Sequence, residues 1–177
     1  MRYRRANVAG GTYFFTVNLA ERQLGLLVDH VDLLRDSVRV VKQRHPFNIV
    51  AFVVLPDHLH AIWTLPEGDS DFAMRWMLVK SGFSRRIPEG ERRNASRILK
   101  GERGIWQRRY WEHLIRDEMD YQRHVDYVHF NPVKHGYASR AADWPYSSIH
   151  RHIAAGLLSE NWGVASLEQE GQEYGER

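Results

Sequence analysis

The sequence predicts an α+β fold with a four-stranded antiparallel sheet, from the order of its elements and from a length and composition that suit one domain. Segments rich in β-formers alternate with segments of helical periodicity in the order strand, helix, strand, strand, helix, strand. A length of 177 residues with 43% hydrophobic content suits one domain with a sizeable core. The absence of cysteine excludes disulfides, thiolate zinc sites and thiol nucleophiles. The βαββαβ order is that of the ferredoxin-like split βαβ layout, here followed by an extra C-terminal helix.

The first half of the chain supplies three strands and one helix. Residues 12–20 follow a glycine pair and contain several β-formers, which predicts a strand. Residues 29–44 carry valine and leucine at spacings of three and four, which predicts a helix. Residues 47–55 and 58–65 are strand-like runs separated by a Pro-Asp step, and this spacing predicts a hairpin.

The second half completes the sheet and adds the extra helix. Residues 72–86 have helical periodicity, and we expect this helix and the first one to pack on one face of the sheet. Residues 88–104 are polar and rich in turn-formers, so we predict a loop. A strand over 105–115 and a helix over 117–130 follow. Because Pro132 disfavours helical geometry at the residue before it, we expect the last helix to end near residue 130.

Charge is distributed unevenly along the chain. Lysine and arginine total 25 against 22 acidic residues, a formal net charge of +3. Residues 160–177 contain five glutamates and one arginine, so residues 1–159 carry a formal +7. We predict a single domain over residues 1–165 with a basic arm at 1–10, followed by a flexible acidic tail at 166–177. A basic body favours a polyanionic partner, although solubility alone accounts equally well for the charge.

Hydropathy patterning argues against a membrane protein. No apolar run approaches the roughly 18–20 residues that span a bilayer. The first residues are basic, but no apolar stretch of the kind found in secretion signals follows them. We therefore expect a cytoplasmic protein that has no membrane partner.

A His-Leu-His sequence, residues 58–60, stands at the start of the third strand-like segment, the second strand of the predicted hairpin. Side chains alternate faces along a strand, so His58 and His60 project on the same side, about 6.5–7 Å apart. Two imidazoles at that spacing can bind one metal ion, with carboxylate, amide or water as the remaining ligands. The alternative is a pair of ordinary polar residues at a strand end.

The helix over residues 117–130 carries two separate stripes. Tyr121, Val125 and Val128 form an apolar stripe. A polar stripe contains Asp120, His124, Tyr127 and Asn131. Tyr127 thus lies among polar groups, where its hydroxyl is suited to attack a phosphate, whereas Tyr121 is expected to be structural. The alternative for Tyr127 is an amphipathic surface position.

Two motifs together resemble the signatures of the single-tyrosine HUH transposases. These are PDHLH at residues 56–60 and RHVDYVHFNPVKHG at residues 123–136. The resemblance is closest to the REP-associated tyrosine transposases and covers about residues 3–165. Supporting stretches lie at residues 11–17, 62–66, 105–107, 110–113 and 143–148. The family's fold is also the ferredoxin-like one, in agreement with the strand order.

The resemblance implies a reaction and roles for several residues. It implies a metal-dependent single-stranded DNA endonuclease and transposase that cleaves and rejoins REP-type hairpin DNA through a 5′-phosphotyrosine. Tyr127 matches the nucleophile of the catalytic helix, His58 and His60 match the metal-binding pair, and Asn131 matches the third ligand. The donor set suits Mg²⁺ or Mn²⁺. His124 and Asp120 share the tyrosine's stripe and are candidates for a proton relay, or else for surface hydration.

Candidate DNA contacts come from the basic arm, a second basic tract and a run that interleaves cations with aromatic rings. They are Arg2, Arg4, Arg5, Lys80, Arg85, Arg86, Arg108, Arg109 and Trp106. The expected partner is single-stranded or hairpin DNA of REP type, bound by a monomer or a homodimer. Alternatives are a catalytically silent single-stranded nucleic-acid-binding regulator, an RNA-binding module of the same strand order, and a metal hydrolase that uses water.

Overall fold

A computed structural model of the chain describes residues 7–164. Three predicted DNA contacts, Arg2, Arg4 and Arg5, and the predicted acidic tail at 166–177 lie outside the described residues. Within residues 7–164, no helix combines the length and the apolar character needed to cross a membrane.

Four strands form one antiparallel sheet in the order β2-β3-β1-β4. The strands are β1 (Thr12–Asn18), β2 (Asn48–Val54), β3 (His58–Thr64) and β4 (Trp111–Leu114). This is the strand order of the split βαβ layout, so the predicted fold class is confirmed. In the register of the two central strands, Asn18 lies opposite His58 and Thr16 opposite His60.

Six α-helices connect and cover the strands in the described part of the chain. They are α1 (Leu26–Asp29), α2 (Val31–Arg44), α3 (Phe72–Arg86), α4 (Ala95–Leu99), α5 (Glu118–Lys134) and α6 (Ile149–Ala154). The predicted helix over 29–44 is therefore preceded by a separate short helix. The segment predicted as a loop over 88–104 contains α4, whose first N–H groups are capped by the Asn94 side chain.

The predicted strand over residues 105–115 is wrong in its first half. Only Trp111–Leu114 pairs with β1 as a strand. Trp106 instead makes an isolated bridge with Leu19, just beyond the end of β1. The chain leaves the sheet between these two pairings, so one long strand cannot form.

Helices cover both faces of the sheet. The first face packs against α2 and α3, where Trp76 of α3 stacks on Trp63 of β3 with ring centroids 4.1 Å apart. The opposite face carries Phe14 and Ile62 and packs against Val125 and Val128 of α5. The expectation of helices on one face therefore holds for α2 and α3, and α5 closes the other face. This places the polar stripe of α5 over the central strands.

α5 ends later than predicted. It continues through Pro132 to Lys134, because a proline inside a helix removes one N–H donor without breaking every later turn. The turn that terminates the helix contains Gly136, which has a φ of 73°. The N–H of Tyr137 donates to the carbonyl of Pro132 and that of Gly136 to the carbonyl of Val133, the pairing that commonly terminates helices.

Candidate active site

The histidine pair projects from β3 toward α5, and both rings are held through their Nδ1 atoms. His58 Nδ1 donates to Asp57 Oδ1 at 2.7 Å, and Asp57 also accepts from Arg22 Nε at 2.5 Å. His60 Nδ1 lies 2.9 Å from Thr16 Oγ1 on the neighbouring strand. The ring centroids of the pair are 4.9 Å apart. The period-2 argument for a shared face is thus confirmed.

This arrangement fits metal ligation by the second ring nitrogen. A histidine that donates from Nδ1 to a carboxylate presents a lone pair at Nε2, as metal ligands do. His58 Nε2 is buried and has no hydrogen-bond partner among residues 7–164. Burial holds the pKa of His60 well below its usual range, which keeps its imidazole neutral as a ligand must be.

The Asp57 carboxylate that orients His58 is ionised. Burial raises its pKa, but the hydrogen bond from His58 and the nearby Arg22 lower it, to about 2. A charged acceptor makes the bond to the imidazole N–H a charge-assisted one, which fixes the ring orientation more firmly than a neutral acceptor would.

Tyr127 lies beside the histidine pair. Its ring packs edge-on against His60, with centroids 5.2 Å apart, and against Phe14 at 5.9 Å. The side chain is half-buried, and Lys134 Nζ donates to its hydroxyl oxygen at 3.1 Å. Asn131 follows one helical turn later on the same stripe and is fully buried. The fold therefore brings the predicted nucleophile to the predicted ligand pair.

His124 and Asp120 belong to a hydrogen-bond network that joins α5 to β4. Asp120 Oδ2 accepts from His113 Nε2 at 2.7 Å and from the backbone N–H of Arg116 at 3.0 Å. His124 Nδ1 donates to the backbone carbonyl of Asp120 at 2.7 Å. Asp120 and His124 are 6% and 2% exposed, so the surface-hydration alternative is wrong for both.

The same three side chains form the His/Asp group of the described residues that has metal-like spacing. The potential ligand atoms of His113, Asp120 and His124 all lie within 4.8 Å of one another. Burial raises the pKa of Asp120, but the hydrogen bonds from His113 and Arg116 lower it to about 2. Because these hydrogen bonds already engage the Asp120 carboxylate, the group links α5 to β4 rather than forming an open ligand set.

Several predicted DNA contacts surround a pocket of about 620 Å³ on the side of α3. Lys80, Arg85, Trp106 and Arg108 line it, and Arg109 is exposed next to them. Lys80 Nζ lies 5.3 Å from the ring centroid of Tyr110. These side chains converge although they come from distant parts of the sequence.

Most of the predicted contacts also have partners within the protein. Arg108 Nε donates to Glu102 Oε2 at 2.8 Å, and Lys80 Nζ donates to the carbonyl of Gln107 at 2.9 Å. Arg86 forms an ion pair with Asp36 of α2, away from the pocket lining. Trp106 is 7% exposed, and its indole N–H donates to Ser84 Oγ at 3.1 Å. Its ring therefore belongs mainly to the core and offers little face for stacking with a base.

The pocket lies at the end of the sheet where the histidine pair begins. Gln107, which lines the pocket, donates its backbone N–H to the carbonyl of Asn18 at 3.0 Å. Asn18 is the register partner of His58. The basic pocket, on the α3 face, therefore reaches the same end of the sheet at which the histidine pair begins on the α5 face.

Sequence reasoning assigned no role to four side chains that shape the site. They are Phe14, Thr16, Asp57 and Lys134. Phe14 packs against the rings of His60, His124 and Tyr127 at centroid distances of 5.4, 4.8 and 5.9 Å. Lys134 follows Tyr127 by seven residues, two helical turns, and this signal was available in the sequence. It was hidden because the helix was expected to end before Pro132.

Comparisons with known proteins identify close relatives. A scan against protein-family models found no match. A REP-associated tyrosine transposase of Escherichia coli (strain K12) is 47% identical over 160 residues, 90% of this chain and 89% of the relative. A Haemophilus influenzae protein, named provisionally as the same kind of transposase, is 45% identical over 162 residues, 91% of this chain and 92% of the relative. A solved structure of a REP-associated tyrosine transposase bound to a REP hairpin superposes with a TM-score of 0.84 at 44% identity, covering 100% of this chain and 98% of that chain.

Proposed function

The chain belongs to the REP-associated tyrosine transposases, and from this premise we propose that it cleaves and rejoins single-stranded DNA at REP-type hairpins through a phosphotyrosine at Tyr127. The observation that carries the proposal is the packing of Tyr127 against His60, with ring centroids 5.2 Å apart, beside a histidine pair oriented by Asp57 and Thr16. The alternative for Tyr127, an amphipathic surface position, does not account for this packing.

The proposed step is a transesterification at phosphorus. The Tyr127 oxygen forms a bond to the scissile phosphorus as the bond from phosphorus to the 3′-oxygen breaks. The phenol proton passes to solvent water, and the departing 3′-oxygen takes up a proton to become a 3′-hydroxyl. The 5′-phosphate stays on the tyrosine, so the energy of the phosphodiester is kept and rejoining needs no nucleotide triphosphate.

We propose that His58, His60 and Asn131 hold a divalent ion at this site. The buried His58 Nε2 and the neutral His60 fit this role, and the Asn131 amide lies on the tyrosine's stripe. The ion would act as a Lewis acid on the phosphate oxygens. Two imidazoles with one amide oxygen favour Mn²⁺, and phosphate oxygens complete a set that also suits Mg²⁺.

The proposed DNA path runs from the basic pocket to Tyr127. Lys80, Arg85 and Arg109 supply positive charge for phosphates on the α3 side of the sheet, and Arg108 shares its charge with Glu102. The REP hairpin bound in the related solved structure supports a REP-type hairpin as the substrate. His124 and Asp120 stay candidates for a proton relay, although their hydrogen bonds also serve the fold.

An adduct assay with Tyr127→Phe tests the proposal. A labelled REP hairpin with a single-stranded foot is incubated with protein and Mg²⁺ or Mn²⁺, and protein-linked label is measured after denaturation. Wild type should form the adduct, and Tyr127→Phe should bind the hairpin equally well but form none, because it lacks the attacking oxygen. Tyr121→Phe is the matched control on the same helix and should keep activity.

Two outcomes would contradict the proposed reaction at Tyr127. An adduct that persists in Tyr127→Phe would show that another residue is the nucleophile. Tight hairpin binding by wild type without any adduct or cleavage under either ion would favour the alternative, a catalytically silent DNA-binding regulator on the same fold.

A further inference from the structure

Lys134 reaches the one oxygen atom on which the proposed reaction depends. Its Nζ donates to the Tyr127 hydroxyl oxygen at 3.1 Å and lies 4.8 Å from the centroid of the same ring. The two residues are seven apart on α5, so they lie on one face of the helix, two turns from each other. The contact is therefore built into a single rigid element.

The end of α5 places this ammonium in the site. Pro132 sits between the two residues without ending the helix, and Gly136 ends it only after Lys134. Lys134 is half-buried. A lysine needed only for solubility would extend its ammonium into solvent along its flexible stem. This one is directed toward the Tyr127 phenol.

We propose that Lys134 is a catalytic residue whose ammonium positions the Tyr127 oxygen and stabilises the negative charge on it. The role rests on the proposed function. In cleavage, the ammonium holds the oxygen in place while it forms the bond to phosphorus and releases its proton to water. In rejoining, the 3′-hydroxyl attacks and loses its proton to water, the bond from phosphorus to the tyrosine oxygen breaks, and the ammonium stabilises the departing phenolate. A fixed cation beside a developing oxyanion is among the strongest contributions to catalysis.

A structural role for Lys134 makes different predictions. If the lysine only packed its stem on the Tyr127 ring, any substitution that preserved folding would leave the chemical step unchanged. If it only bound DNA, its loss would weaken hairpin affinity and the reaction at saturating protein would be normal. The catalytic role alone predicts a slow chemical step with normal affinity that an added small cation corrects.

The experiment compares wild type, Lys134→Ala, Lys134→Arg and Lys42→Ala. Hairpin affinity is measured by fluorescence anisotropy, and adduct formation by single-turnover kinetics at saturating protein. We expect Lys134→Ala to bind normally and to form the adduct about 100-fold more slowly. Ethylammonium should restore the rate in proportion to its concentration, whereas tetramethylammonium, which cannot donate a hydrogen bond, should not. Lys134→Arg should retain part of the rate because it keeps the charge, and Lys42→Ala controls for loss of a lysine on the exposed face of α2.

The outcomes separate this inference from the proposed function. A full rate in Lys134→Ala, or a slow rate that ethylammonium leaves unchanged, would overturn the role of Lys134 while the wild-type adduct upheld the phosphotyrosine. Absence of the wild-type adduct would overturn the phosphotyrosine itself. If Lys134→Ala melts at a lower temperature than wild type, Lys134→Arg decides the question, because a full loss of its rate in a folded protein would contradict a role for the positive charge.

Discussion

Asp57 determines which nitrogen of His58 faces the site. Its carboxylate accepts the Nδ1 proton at 2.7 Å, and Arg22 holds that carboxylate from the other side at 2.5 Å. The imidazole is thereby fixed in the tautomer that has its lone pair on Nε2. Thr16 makes the equivalent contact with His60 from β1. The histidine pair is thus oriented by the protein's own side chains.

Metal affinity should depend on this orientation. We expect His58→Ala to abolish specific Mn²⁺ binding, and Asp57→Asn to weaken it by about 10–100-fold because the ring loses its charged acceptor. Isothermal titration of the protein with Mn²⁺, without DNA, measures both effects. His150→Ala removes an exposed imidazole outside the site and should bind Mn²⁺ like wild type. Unchanged Mn²⁺ affinity in His58→Ala would show that the ion does not bind at the histidine pair of β3.

At the residue scale, period and spacing placed the histidines on one face and Tyr127 among polar groups, and the family resemblance implied their roles, but neither indicated the side chains that support them. Alternation along β3 placed both imidazoles on one face, and the α5 stripe placed Tyr127 among polar groups. Phe14 and Thr16 came to the site through strand pairing, which spacing within a single segment does not reveal. Lys134 was missed because Pro132 predicts that the helix ends before it, whereas α5 continues to Lys134 and terminates in the turn at Gly136.

α5 is anchored at its N-terminal end by Asp120. Its carboxylate links the helix to His113 of β4 and to Arg116, and Asp117 caps the first turn by accepting from the backbone N–H of Asp120. The helix that carries Tyr127 is therefore held to the sheet edge by an ionic network as well as by Val125 and Val128. The two attachments fix its rotation about its own axis.

Acid should loosen this anchor. The pKa of Asp120 is lowered to about 2 from its usual 3.8, so the carboxylate stabilises the fold above the usual value and loses that contribution as pH falls toward about 2. We expect Asp120→Asn to reduce the free energy of unfolding at pH 7 by about 2 kcal/mol and to flatten its decline below pH 4. Urea unfolding at pH 7 and pH 3 measures both effects. A fully folded Asp120→Asn that formed no adduct would instead support the proton relay.

At the element scale, the sequence predicted β1, β2, β3 and α3 closely, since each carries a strong periodic pattern between clear breaks. The longer strand expected before α5 failed because its first residues satisfy their backbone groups elsewhere. Gln107 donates to Asn18 and Trp106 pairs with Leu19, past the end of β1. Such pairings depend on the tertiary fold, so local propensity does not report them.

The whole site is assembled within one chain. The ligand pair comes from the centre of the sheet and Tyr127 from the helix that packs on the same face of that sheet. The order of the elements predicted the sheet, but it carried no information on the face that the extra helix covers. The apolar stripe of α5 determines which face the helix covers. Its burial against Phe14 and Ile62 leaves the polar stripe above the histidines.

A one-chain site predicts that defective variants do not complement each other. We expect a mixture of His58→Ala and Tyr127→Phe, each folded and each binding the hairpin, to form no adduct, because neither chain contains a complete set of groups. Adduct formation by the mixture is measured against wild type diluted to half concentration. Restored activity would mean that copies exchange α5 in a homodimer, and would contradict the one-chain site.

β3 lies between two hydrogen-bonded neighbours, and this has a consequence for how the two halves of the site move. Backbone amides in such a central strand exchange with solvent only when the domain opens globally, whereas a helical turn that lacks the N–H of Pro132 opens by local fluctuation. The β3 amides that carry the histidine pair should therefore exchange later than the amides of the last turn of α5. Amide exchange thus reports on the two halves of the site separately, one through global opening and the other through local opening.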